Sequence, residues 1–236
     1  MSHSMDGVKR IALSYPLTRD APYPDGGRPL RISGAGRMAD GDISNSSMVE
    51  FWNHIGTHMD GPGHVLAGSG DVANYAPASG LFFCRSHVLD VPCENDRLIT
   101  AFDLEAAEAA LTDCDLLLIR TGFAKYRRSE AERYAGRNPG IDMSAAQYVV
   151  ERYSSVQCIG IDTISFAAAA YVQEGIAAHR ILLGRRPPIL LIEDMNLAHD
   201  LEHLKRVMVV PLLIEGLDSC PCVVIGELAK GPLEQE

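Results

Sequence analysis

Short apolar runs of strand length, set between polar and glycine-rich segments, give this 236-residue chain its rhythm. Residues 115–119 (DLLLI), 156–162 (VQCIGID), 189–193 (ILLIE), 206–214 (RVMVVPLLI) and 222–227 (CVVIGE) read as strands. Several are apolar throughout, the pattern of a strand covered on both faces. Residues 9–14 (KRIALS), 45–54 (NSSMVEFWNH) and 85–91 (RSHVLDV) add three more. Helical stretches interleave with them. Residues 100–111 are opened by Thr100 as N-cap, 144–153 by Ser144, and the alanine-rich 165–184 runs to Gly184 ahead of Pro187-Pro188. Residues 195–204 (MNLAHDLEHL) are a weaker helix candidate. The alternation is not strict, which predicts a mixed α/β (α+β) layered fold around a central, mixed β-sheet. With no repeat or linker, residues 1–236 read as one domain, with 1–8 as a flexible leader.

Composition narrows the function. An apolar fraction of 47% and a charged fraction of 22% are those of a folded protein. The net charge is −10, and basic residues are scattered apart from pairs such as Arg127–Arg128 and Arg185–Arg186. Nucleic acid and anionic membrane surfaces are therefore not expected partners. No apolar run approaches the roughly 18 to 20 residues that span a bilayer. The first ten residues lack the apolar core of a secretory signal, so a cytoplasmic location is expected. Six cysteines without a C-x2-C pair are expected to be buried thiols rather than disulfides.

Chemistry concentrates in residues 54–64, HIGTHMDGPGH, which hold three of the eight histidines. His54, Gly56, His58 and Asp60 share one parity, so an extended segment would aim two imidazoles and a carboxylate along one face. Zn2+ favours that donor mixture, and Mn2+ or Fe2+ accept it. Gly61-Pro62-Gly63 reads as a tight turn returning His64 toward the same site. Trp52 shares the ligand parity and, with Phe51, offers an aromatic wall for a planar substrate or a core contact. Asp162 and Thr163 could orient ligands or cap a helix. No G-x-S-x-G elbow or Walker lysine is present.

The segment matches the motif H-x-G-T-H-x-D-x-P-x-H at His54, Gly56, Thr57, His58, Asp60, Pro62 and His64. Together with IGIDT near residue 160 and AHRILLGRRPPILLIEDMNL, it resembles the bacterial cyclase-like amidohydrolases, which include kynurenine formamidase and isatin hydrolase. The resemblance implies a swivelling β/β/α domain, assembled as a homodimer or homotetramer. It also implies one or two divalent ions, Zn2+ or Mn2+: His54, His58 and Asp60 on the first, and Asp60, His179 and Glu193 on the second. Three departures bear on specificity: Gly-Pro-Gly-His-Val at 61–65, Asn138-Pro139-Gly140 where relatives carry His-Pro-Gly, and 218–223, where a D-G-x-P-x-R pattern loses its arginine.

The expected activity is hydrolysis of a C–N bond in a small amide, with metal-activated hydroxide as nucleophile and His64 as base. An aryl formamide such as N-formylkynurenine ranks first and a cyclic amide of the isatin type second. A metal-dependent lyase or dehydratase and a non-catalytic metal- or ligand-binding protein are the rival readings.

Overall fold

The structure is a computed structural model that describes residues 8–76, 80–105 and 111–229. Its strands are β1 (Val8–Ala12), β2 (Arg31–Gly36), β3 (Ser46–Glu50), β4 (His58–Asp60), β5 (Leu81–Phe83), β6 (Ser86–Asp90) and β7 (Leu98–Ile99). The second half adds β8 (Leu116–Arg120), β9 (Gly140–Ile141), β10 (Cys158–Ile161), β11 (Leu190–Glu193), β12 (Leu204–Pro211) and β13 (Ser219–Ala229). The helices are α1 (Ala101–Glu105), α2 (Ala131–Gly136), α3 (Met143–Arg152) and α4 (Val172–Gly184).

A large mixed sheet organises the molecule in the order β5-β12-β13-β4-β11-β10-β8-β6, with β1 also paired to β13. β6, β8, β10 and β11 run parallel, whereas β4, β12, β13, β5 and β1 pair antiparallel. The sheet is mixed, as the interleaved pattern predicts, and it curves until it is nearly closed.

Alternation along the parallel strands explains the curvature. Leu117, Ile119, Ile159, Ile161 and Leu191 face one way, onto Ala145 and Val149 of α3 and Ala178 and Leu182 of α4. Leu116, Leu118, Cys158, Leu190 and Ile192 face the other way, onto Phe83, Val207, Val209 and Val224 of the antiparallel strands. Burying each such aliphatic side chain is worth about 1.5–3 kcal/mol, so wrapping the sheet over its own inner face is strongly favoured.

Several sequence expectations change. The strand expected at 45–54 stops at Glu50, because 51–57 forms the turn into β4. The helix expected at 195–204 is absent: Met195 N–H is taken by Ile161 O and Asn196 N–H by Leu13 O, so tertiary hydrogen bonds replace helical ones. The helix expected from 165 begins at Val172, the preceding loop being diverted to Glu193. Asp142, not Ser144, caps α3 through the Ala145 N–H, and Ser144 Oγ instead accepts the Ala101 N–H at the start of α1. Residues 212–214 lie beyond β12. Of the expected leader, 1–7 lie outside the described residues and Val8 already belongs to β1. The six cysteines are free thiols, five of them buried and Cys84 exposed. Among the described residues no helix is long and apolar enough to cross a membrane.

Candidate metal centre

β4 lies between β11 and β13, antiparallel to both, in a register that sets His58 opposite Glu193 and Asp60 opposite Ser219. His58 and Asp60, two residues apart on a fully buried strand, point the same way. His54 reaches them by a turn rather than by strand parity. Gly56 there has φ +65°, a left-handed conformation glycine adopts freely, and the turn leaves the His54 ring 5.3 Å from that of His58. His54 Nδ1 lies 3.3 Å from Asp60 Oδ1. After Asp60, a 3-10 turn over Pro62–His64 carries His64 back, its ring centroid 4.3 Å from that of His54. His179, buried on α4, places Nε2 3.3 Å from Glu193 Oε1 and 3.9 Å from Asp60 Oδ2.

The hydrogen bonds around this cluster fix which atoms face inward. His58 Nδ1 donates to Gly56 O at 2.8 Å and His179 Nδ1 to Gly175 O at 2.7 Å, since a carbonyl only accepts. In the neutral rings both Nε2 atoms therefore present lone pairs to the centre. Glu193 presents more lone pairs, its Oε1 held by the Ser165 hydroxyl at 3.0 Å and the Phe166 N–H at 2.7 Å. Its Oε2 lies 3.1 Å from His58 Nε2, close enough for an ion pair but not aligned as a hydrogen bond. His58 Nε2 and both Asp60 oxygens are buried without a hydrogen-bond partner.

Lone pairs converging in a buried space are tolerated only with protons or a cation between them. The titration pattern describes the proton case. Burial opposes charge on His58 and His179, yet the close approach of Glu193 to each and the Asp60 carboxylate hold both above the ordinary histidine value. Burial likewise opposes charge on His54, but Asp218 and Asp60 push it up to about 10. Burial and Asp60 would raise Glu193, whereas His179 and His58 bring it down to about 2. Asp60 is held well below the carboxylate range by His54, His58 and His64 against its own burial. A divalent ion satisfies the same atoms, and the donor set of imidazoles and carboxylates suits one. His54, His58 and Asp60 bring ligand atoms within 4.8 Å of one another, as do Asp60, His64 and His179, so Asp60 is common to both groups.

All five expected ligands and His64 thus gather in one place, but Glu193 sits between His58 and His179 rather than beside His179 alone. The half-buried Trp52 ring lies 5.5 Å from His54, whereas Phe51 packs with Ala21, Leu30 and Ile55 in a separate apolar cluster. Asp162 touches no ligand; it accepts from the Thr121 N–H and hydroxyl and from the Gly122 N–H. Sequence reasoning missed Asp218, whose carboxylate accepts from His54 and His64. It also missed Asp194, which follows Glu193 at φ +53° and is gripped by Arg127 and Tyr134. The signal for Asp218 was its place in the departed 218–223 segment. Of the other departures, Asn138 spans the loop at 165–169 with its side-chain amide, and Val223 is exposed on β13.

A family model described as a putative cyclase matches residues 11–168. Cyclase-like protein 1 of Arabidopsis thaliana is 27% identical over 225 residues, covering 93% of this chain and 86% of that protein. Isatin hydrolase A from Labrenzia aggregata, solved with benzyl benzoate, shares the fold with a TM-score of 0.76 at 22% identity, covering 95% of each chain. A structure described as a potential metal-dependent hydrolase with cyclase activity gives 0.70 at 22% identity, covering 95% of this chain and 100% of the other.

Proposed function

The chain belongs to the cyclase family, and on that premise we propose that it is a metal-dependent hydrolase of a C–N bond in a small amide, an aryl formamide such as N-formylkynurenine first. The observation that carries the reading is the convergence of unpartnered lone pairs from His58 and Asp60 beside His54, His179 and Glu193. His54, His58 and Asp60 would hold one ion, and Asp60, His179 and Glu193 a second, Zn2+ or Mn2+ in either case. Such an ion, when bound, supplies a Lewis acid that activates water and polarises the amide carbonyl.

His64 is the proton carrier in this reading. It is part-exposed at the rim of the cluster, with Nδ1 held by Asp218 at 3.1 Å, which leaves Nε2 as the lone-pair nitrogen. Nε2 takes a proton from the attacking water and returns it to the leaving nitrogen as the C–N bond breaks. The acyl carbon keeps the hydroxyl and becomes a carboxylate product. Trp52 beside His54 offers a flat face for an aryl substrate.

Likeness to isatin hydrolase A favours a cyclic amide of the isatin type as the second reading. The apolar side chains of the exposed β2–β3 hairpin, Ile32, Met48 and Val49, suit a homodimer or homotetramer. Metal-replete protein assayed side by side with N-formylkynurenine and isatin tests the function. Turnover of one substrate with solvent oxygen in the new carboxylate supports hydrolysis; an alkene or enol product contradicts it.

A further inference from the structure

Asp218 ties a candidate metal ligand to the candidate base through one oxygen. Its residue immediately precedes β13, and its main-chain carbonyl accepts the Gly61 N–H at 2.9 Å, so its backbone is fastened to the turn that delivers His64. A Cβ at Gly61 would meet that carbonyl oxygen at 3.3 Å and the Val72 backbone at 3.3 Å. A larger residue at this departed position would push one of the two segments away by a few tenths of an ångström.

The Asp218 carboxylate accepts from Asn53 Nδ2 at 3.0 Å through Oδ1. Its Oδ2 lies 3.1 Å from His54 Nε2 and 3.1 Å from His64 Nδ1. An ionised carboxylate has no proton to give, so each ring must carry its own proton on the nitrogen that faces Asp218. The inward-facing nitrogens follow: Nδ1 for His54, which lies 3.3 Å from Asp60 Oδ1, and Nε2 for His64. His54, His64 and Asp218 are close enough to be read as an ion site themselves. They satisfy one another, however, whereas Asp60 and His58 do not.

We propose that Asp218 is a positioning residue that sets both tautomers at once, presenting His54 to the metal through Nδ1 and His64 to the substrate through Nε2. The part concerning His64 rests on the hydrolase reading; the part concerning His54 rests only on metal binding. One carboxylate thereby couples the ligand shell to the base.

The test uses full-length zinc-loaded protein, Asp218→Ala and Asp218→Asn. Long-range proton–nitrogen NMR reads the tautomer of each histidine without turnover. Wild type is expected to show His64 protonated at Nδ1 and His54 at Nε2. Asp218→Ala is expected to lose the His64 signature, His54 staying protonated at Nε2 only where zinc still holds its Nδ1, while His58 and His179 keep their Nδ1 protons on the Gly56 and Gly175 carbonyls, a built-in check on folding. Zinc affinity, read by chelator competition, should fall about 10- to 100-fold. Both rings share Oδ2, so Asp218→Asn, with one acceptor oxygen in place of two, should either keep both contacts, with the wild-type His64 tautomer and zinc affinity, or lose both and match Asp218→Ala. An unchanged His64 tautomer in Asp218→Ala, or unchanged zinc affinity, would overturn the proposal. If neither amide is turned over, these readouts still judge Asp218, so its failure and that of the hydrolase reading are separable.

Discussion

Glu193 and His58 face each other across neighbouring antiparallel strands, Oε2 3.1 Å from Nε2, and each meets the other with a lone pair. His58 has already spent its Nδ1 proton on Gly56 O, and Glu193 Oε1 is occupied by Ser165 and Phe166. The pair therefore needs a positive charge, and the account turns on which charge supplies it.

Without metal, protons supply it, and the pH dependence follows. His54 is raised from 6.5 to about 10, so its stabilising contribution is complete below about pH 6.5 and is lost as pH rises through about 10. Glu193 is lowered from 4.5 to about 2, so its contribution is present above about pH 4.5 and lost as pH falls through about 2. The melting temperature of metal-free protein should therefore peak between about pH 4.5 and 6.5 and decline above that. Zinc or manganese competes with those protons, so binding should release protons and tighten with rising pH. Titration calorimetry in two buffers of different ionisation enthalpy reads the release; proton uptake would contradict it.

Arg127 grips Asp194 with two bonds, 2.7 Å and 2.6 Å, in a pair whose side chains are 12% and 1% exposed. Tyr134 donates to the same carboxylate, and the Asp194 carbonyl accepts the Thr57 hydroxyl of the motif. Arg127→Met leaves a buried carboxylate without its cation, and a loss of about 3–5 kcal/mol is expected in urea unfolding. Adding Asp194→Asn should recover part of that loss. A single variant as stable as wild type would show that the clamp does not hold the turn after Glu193.

Asn138 donates to Ser165 O at 3.2 Å and Ala167 O at 2.9 Å and accepts from the Ala169 N–H at 3.1 Å. It thereby shapes the loop whose Ser165 and Phe166 hold Glu193. Asn138→Ala should cost about 1–3 kcal/mol through unpaired backbone groups. It should also weaken metal binding roughly tenfold through the released carboxylate. Chelator competition beside thermal unfolding separates the two effects; intact affinity in a destabilised variant would make Asn138 structural only.

Legibility in the sequence followed the range of each interaction. His58 and Asp60 could be paired from strand parity, and His64 from the turn before it, because those relations are local. His54 reaches the same centre by a left-handed turn at Gly56, which the parity argument mistook for strand. Glu193 arrives through the β4–β11 register and His179 through the packing of α4 on the sheet, and neither relation is written in spacing. The 195–204 segment shows the same limit: its helical composition yields to hydrogen bonds from Met195 to Ile161 and from Asn196 to Leu13. Asp218 opens the departed 218–223 segment, but it lies 154 residues from His64 and no spacing ties the two together.

The central claim is that the buried cluster holds a divalent ion, and metal content measures it most directly. Protein incubated with Zn2+ or Mn2+, desalted and analysed by elemental mass spectrometry should carry about one to two equivalents. Asp60→Asn, which removes the carboxylate shared by both ligand groups, should carry almost none while keeping its fold by circular dichroism. Wild-type protein that retains no metal, or an Asp60→Asn variant that retains as much as wild type, would contradict the account.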